Sequence, residues 1–201
     1  MDLKLRLATL DDVEALCKTF FSGFADNLIA KYAFPPTSAD VWDFWRQVMA
    51  HDIGDTNMHV VVVDDVSTTP PTLLAFGKWK VVQAEVDLPP PPTKWPEGGD
   101  QELAAAFFGN VWKKHVEIMS GRPHWCLVLL STRKEFQRMG AGNILVKWGV
   151  EKADADGWEC YLGSSVEARG LYEKYGFKEV DSLTYCNGEF YQSLMRRDKR
   201  Q

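Results

Sequence analysis

At 201 residues, with 45% hydrophobic and 25% charged side chains, the chain has the size of one compact domain with a substantial core. A formal net charge of −5 argues against a general nucleic-acid binder, which carries a basic face, while leaving room for a local basic pocket around a phosphorylated ligand. The amino terminus lacks a continuous apolar signal core, and no run approaches the roughly 20 apolar residues that span a bilayer. Cys17, Cys126, Cys160 and Cys186 contain no Cys-x-x-Cys pair and read as reduced thiols, so a cytoplasmic protein with no membrane partner is expected.

Taken in chain order, Leu3 to Ala8 alternates apolar and charged residues, predicting a strand with Leu3, Leu5 and Leu7 facing one way. Thr9 is a good N-cap for a helix carrying Val13, Leu16, Cys17 and Phe20 on one face. Gly23 to Pro36 reads as an aromatic, proline-containing connection. Thr37 or Ser38 then caps a helix with Val41, Phe44, Trp45 and Val48 at the same spacing. The β-branched run Val60 to Val63 and the apolar stretch Leu73 to Val82 predict a hairpin across the Ser67 to Thr72 turn.

Pro89 to Pro92 breaks regular structure inside a loop that runs to about Asp100, either a surface connection or a lid over a pocket. Ala104, Phe107, Phe108, Val111, His115 and Ile118 share a helical face that ends at Gly121. A strand over Trp125 to Leu130, a helix over Gly142 to Asp156 and a strand over Glu159 to Leu162 follow. Ser164 and Glu167 have capping-box spacing for a short helix from Val166 to Tyr175. Two last strands, Phe177 to Tyr185 and Phe190 to Met195, are joined through Asn187-Gly188. One α/β domain over residues 1–201, with a mixed sheet and no internal repeat, is expected.

Two segments carry chemistry. Gln137-Arg138-Met139-Gly140-Ala141-Gly142 leads a strand into a helix that begins near Asn143. Such a turn presents free backbone N–H groups at the positive end of the helix dipole, and its glycines allow a pyrophosphate to approach the main chain. Arg138 adds charge-assisted hydrogen bonds. The turn lacks the third glycine and ribose-binding acid of a Rossmann fingerprint, and the Gly-Lys-Ser/Thr of a Walker loop. The second segment is Leu162 to Ser165 followed by Leu171-Tyr172 and Gly176-Phe177.

Together these segments resemble the GNAT acetyltransferase superfamily, most specifically over Leu127 to Val180. His124-Trp125-x-Leu127 and the upstream insert are similar to fungal small-molecule-type members. The resemblance implies a GNAT fold, with a mostly antiparallel mixed sheet of about seven strands flanked by helices and an extra helical insert before the fourth strand. It implies acetyl-CoA as co-substrate, no metal, and direct attack on the thioester by an amine.

By the same resemblance, Leu130, Ser131 and Thr132 pair with the pantetheine arm. Gln137, Arg138, Met139, Gly140, Ala141, Gly142 and Asn143 hold the pyrophosphate, Ser165 touches the cofactor, and Tyr172 protonates the departing thiolate. Lys134 stands where the family often has proline, and is open to adding a phosphate contact. The preferred candidate base is His124, at the start of the strand leading to the site, ahead of His115, Glu117 and Glu135.

The acceptor pocket is expected among Phe20 to Phe34, the Val86 to Gly121 insert and the last hairpin turn, with Tyr32, Phe34, Trp79, Trp95 and Tyr185 as candidate lining. A small-molecule amine is the expected partner of a monomer or homodimer. A protein or peptide N-acetyltransferase, which needs an open groove, and a non-catalytic acyl-CoA sensor are the alternatives.

Overall fold

The computed structural model describes residues 1–84 and 87–200, so Val86, at the start of the expected insert, lies outside the described residues. Strand β1 (Leu3–Leu7) leads into a short 3-10 turn capped by Thr9, whose backbone N–H donates to the Asp12 carboxylate at 2.7 Å. Helix α1 (Val13–Gly23) buries Leu16, Cys17 and Phe20, the face read from the spacing. The expected connection contains helix α2 (Leu28–Ala33), whose N-cap Asn27 accepts a hydrogen bond from the Ala30 N–H at 2.9 Å. Helix α3 (Ala39–Gly54) starts at the N-cap Ser38 and buries Val41, Trp45, Met49 and Asp52.

Strands β2 (Met58–Asp65) and β3 (Thr72–Val82) form the expected antiparallel hairpin. Helix α4 (Gln101–Met119) is capped by Asp100 and ends where Ser120 and Gly121 turn left-handed, at φ of 49° and 72°. Then come β4 (His124–Thr132), α5 (Ala141–Asp156), β5 (Glu159–Ser165), α6 (Arg169–Glu173), β6 (Lys178–Tyr185) and β7 (Phe190–Arg197). No described helix is long and apolar enough to cross a membrane.

The sheet order is β1-β2-β3-β4-β5-β7-β6, and every neighbouring pair is antiparallel except β4 with β5. Helices α1, α3 and α4 pack on one face, where Leu16, Phe20, Trp45 and Met49 meet Val60, Val62 and Phe76. Helix α5 covers the other face, setting Val146 and Val150 against Trp79, Leu127 and Leu162. Gly149 makes that approach possible, because a Cβ there would lie 2.0 Å from the Trp79 ring. This is the GNAT fold.

Two local expectations are corrected. Leu7 is 56% exposed, because β1 is an edge strand and only Leu3 and Leu5 reach the core beneath α5. Ser164 does not cap a helix: it is a buried β5 residue whose hydroxyl donates to the Ser165 carbonyl, and α6 begins only at Arg169. Pairing with β7 extends β5 through Ser165 and overrides the local capping signal.

Candidate functional site

The parallel pairing of β4 and β5 stops at Leu127 opposite Leu162, although β4 continues to Thr132 and β5 to Ser165. Just beyond that point Val128 is an extra residue in the ladder with β3, since Leu127 pairs with Trp79 and Leu129 with Lys78. A bulge increases local twist and bends the strand. The two strands therefore part, and β4 from Val128 onward has no β5 partner for the main-chain groups on that side.

A cavity of about 170 Å³ sits at the parting. Leu127, Val128, Leu129 and Leu130 of β4 form one wall, and Gly163 and Ser165 of β5 another. Ala168 and Tyr172 approach from the α6 segment, and Phe190 and Gln192 from β7. The far side is aromatic, made by Phe20 and Phe24 of the α1 region, Phe34, Trp45 of α3, and Phe107 and Phe108 of α4. Engineered apolar cavities of similar volume accommodate one benzene molecule, so an aromatic ring or a short acyl chain fits the scale.

Tyr172 is 4% exposed, and burial alone pushes its pKa up. Its phenol is protonated at neutral pH and has no hydrogen-bond partner among the described residues, so its O–H is free to serve a bound molecule. The ring is held edge-on to Phe177, and the Phe177 N–H bonds the Tyr172 carbonyl, so the Gly176-Phe177 stop fixes where the tyrosine points.

The turn between β4 and α5 adjoins this cavity through Leu130: a Cβ on Gly142 would lie 3.8 Å from Leu130 and 3.4 Å from Leu171. Gly140 is the N-cap of α5 with φ of 98°, and Arg138 is also left-handed at 63°. The first helical hydrogen bond to form is Ile144 N–H to Gly140 carbonyl, which leaves the N–H groups of Ala141, Gly142 and Asn143 without helical acceptors. A Cβ on Gly140 would meet nothing within 4 Å, so the requirement for glycine is the backbone angle, and the space in front of the turn is open.

This cradle fits a pyrophosphate: free donors at a helix N-terminus, an open approach, and a neighbouring strand edge without a partner. Gln137 Nε2 donates to the Thr132 carbonyl at 3.3 Å and closes the turn back on β4. Met139 is half exposed.

Lys134 pairs with Asp26 at 2.7 Å, and its N–H bonds Ser22, so it clamps the loop to the end of α1 rather than facing the turn. Ser131 is buried and its hydroxyl donates to the Thr19 carbonyl at 2.9 Å. Its main chain pairs with Phe76 of β3, so the groups that face the parting are those of Leu130 and Thr132.

His124 is placed elsewhere. It begins β4, opposite Glu159 and Val82, roughly 10 Å along the strand from Leu127 and off the cavity wall. Its Nδ1 lies 2.6 Å from the Arg122 carbonyl, which only accepts, so Nδ1 carries the proton. Nε2 must then accept from His115 Nε2–H, also at 2.6 Å. Burial holds the His115 pKa down to about 3 and lowers that of His124, so the pair is neutral and the lone pair of His124 is taken by His115.

Of the other expected lining residues, Phe34 faces the cavity. Trp79 is fully buried on the α5 face with its indole N–H bonded to the Leu145 carbonyl. Tyr32 is half exposed, Trp95 stacks on Phe108 behind the wall, and Tyr185 packs on Phe107. Phe107 and Phe108 lie in the insert expected to form the pocket and do line it, whereas Trp45, Phe190 and Gln192 lie outside the expected segments. The end of the proline-rich loop is pinned to α2 and α3, with the Asp100 N–H on the Tyr32 carbonyl and the Gly98 N–H on Asp40.

Residues 98–194 match the family model described as an acetyltransferase (GNAT) domain. The chain superposes on arylalkylamine N-acetyltransferase 2 from Aedes aegypti with a TM-score of 0.70 at 10% identity, covering 98% of this chain and 99% of that one. It also matches a structure from Corynebacterium glutamicum described as histone acetyltransferase HPA2 and related acetyltransferase, with a TM-score of 0.67 at 16% identity over 100% and 98% of the two chains. The PaiA N-acetyltransferase from Thermoplasma acidophilum, in complex with coenzyme A, gives 0.56 at 13% identity over 98% and 99%. No curated protein matches by sequence.

Proposed function

We propose, from the GNAT fold and the match of residues 98–194 to an acetyltransferase (GNAT) domain model, that this protein transfers the acetyl group of acetyl-CoA to the amine of a small molecule by direct attack, with both substrates bound. The observation that carries the reading is the parting of β4 from β5 after Leu127, with a buried, protonated Tyr172 and the donor-rich Gly140 turn at its two ends.

Acetyl-CoA supplies an activated acyl group on a thiol leaving group. The N–H groups of Ala141, Gly142 and Asn143, with Arg138, hold its pyrophosphate. Main-chain groups of Leu130 and Thr132, which face the parting, pair with the pantetheine arm, since nothing on β5 competes for them. Ser165, at the opposite lip of the cavity, contacts the same arm. Tyr172 donates its phenolic proton to the departing sulfur; burial keeps the phenol protonated at neutral pH, so the proton is at hand where the thiolate forms. Unpartnered N–H groups at the strand parting polarise the acetyl carbonyl.

A small acceptor is supported by the size of the cavity, about 170 Å³, and by the aromatic wall that Phe20, Phe34, Phe107 and Phe108 give it. The test is thermal unfolding with acetyl-CoA, followed by thiol release with a panel of amines and peptides. Acetyl-CoA at 100 times its dissociation constant contributes about 2.7 kcal/mol. Stabilisation together with amine-dependent thiol release is expected. Absence of stabilisation overturns the donor, and turnover of peptides alone overturns the small acceptor.

A further inference from the structure

The wall of the cavity contains no side chain charged at neutral pH among the described residues. Its polar side chains are Asn27, Ser165, Tyr172, Gln192 and the indole of Trp45, whose N–H, like the Tyr172 O–H, offers a bound molecule a donor, and Asn27 is spent on capping α2. The cation behind the Trp45 ring, Lys78, is itself paired with Asp52 at 2.5 Å, so neither is free to meet a charged ligand.

An ammonium entering this space loses its hydration and gains no carboxylate, a loss that the protein avoids only by admitting the neutral form. An alkylamine with the pKa of a lysine side chain, about 10.4, is neutral at pH 7 in roughly one molecule of 2,500. An amine whose lone pair is delocalised into an aromatic ring is neutral throughout that range.

Gln192 supplies the polar contact. Its amide lines the cavity and packs over Gly163, where a Cβ would lie 2.4 Å from Nε2. The absence of that Cβ is what gives the amide its place. Oε1 is closed off from solvent and has no donor among the described residues, an arrangement with a desolvation cost. The terminal amide torsion is broad, so a half-turn exchanges Oε1 and Nε2 and turns Oε1 toward the cavity.

We propose, building on the acetyltransferase reading, that the acceptor is a weakly basic aromatic primary amine bound in its neutral form, with one N–H donated to Gln192 Oε1. The ring packs against the Phe34 and Phe107 side of the cavity. The lone pair attacks the acetyl carbonyl carbon and the C–N bond forms as the C–S bond breaks; the C–S electron pair stays on sulfur, which takes the Tyr172 proton, and the proton lost by nitrogen passes to the Tyr172 phenolate. Gln192 binds the acceptor and is a specificity residue; it moves no proton.

The experiment compares 4-methoxyaniline with 2-phenylethylamine at saturating acetyl-CoA, from pH 7 to pH 9, in wild type, Gln192→Leu and Gln192→Glu. In wild type the arylamine is expected to have the higher kcat/KM at pH 7. Its advantage should shrink about tenfold for each pH unit as the alkylamine deprotonates.

Gln192→Leu should raise KM for the arylamine about two- to twelvefold with kcat little changed, the scale of one net hydrogen bond. Gln192→Glu should turn the preference toward 2-phenylethylamine by placing a carboxylate where the ammonium would sit, an effect that a packing role does not produce. Preference for the alkylamine at pH 7, turnover of neither amine, or an unchanged preference in Gln192→Glu overturns the proposal. Stabilisation by acetyl-CoA in the same samples separates these failures from a failure of the donor site.

Discussion

The Tyr175 hydroxyl lies 2.8 Å from the Asn143 side-chain oxygen and 3.2 Å from the Asn143 carbonyl, tying the end of the α6 segment to the first turn of α5. The two segments singled out in the sequence are thereby joined directly: the tyrosine belongs to the Leu171 to Phe177 run and the asparagine follows the Gly140 turn. The bond is partly solvent-exposed, so its loss costs about 0.5–1 kcal/mol. Tyr175→Phe should raise KM for acetyl-CoA about two- to fivefold with kcat retained, measured by thiol release at saturating acceptor.

Glycine substitutions separate the two glycines of the turn from the one beneath it. Gly140→Ala forces a side chain onto φ of 98° and should cost about 1–2 kcal/mol, with weaker acetyl-CoA binding. Gly142→Ala meets only ordinary contacts and should fold like the wild type. Gly149→Ala places a Cβ 2.0 Å from the Trp79 ring and should destabilise by about 1–3 kcal/mol. Thermal unfolding of the three variants, with and without acetyl-CoA, ranks them.

Asp52 and Lys78 form a buried ion pair behind the aromatic wall. Asp52→Asn leaves the Lys78 ammonium buried without its counter-charge and should cost about 3–5 kcal/mol. Urea unfolding should show a lower midpoint with an unchanged slope.

The His115–His124 pair makes stability depend on pH. The folded-state pKa of His115 is lowered by burial to about 3, below its unfolded value near 6.5. The unfolded chain binds the proton first, so stability is full above about pH 6.5 and falls as pH drops toward 3, by up to about 1.4 kcal/mol per pH unit for this group. His124 and His59, also lowered by burial, add in the same direction. The unfolding temperature should fall between pH 7 and pH 5, and less steeply in His115→Gln.

Much of this architecture was legible because the helices α1, α3 and α4 repeat apolar residues at helical spacing, and the glycine turn is a contiguous motif. Helix α2 was missed because six residues carry too little periodicity, and its signal is a single Asn27 cap. His124 was placed near the site by its position on the strand that leads there. The functional end of that strand, however, is set by the bulge at Val128 and the end of pairing at Leu127, both products of neighbouring strands. Trp79 looked like lining because composition does not say which face of β3 it occupies. Gln192 carried no signal at all: its meaning depends on Gly163 of another strand leaving it space.

The central claim is that transfer occurs where β4 parts from β5, with Tyr172 as proton donor to the leaving thiol. The most direct measurement is thiol release by Tyr172→Phe beside wild type, with acetyl-CoA stabilisation of each measured in parallel. Loss of a general acid predicts a fall in kcat of about 10²-fold or more, with the acetyl-CoA-induced thermal shift retained. An undiminished kcat in a variant that binds acetyl-CoA normally would contradict the account.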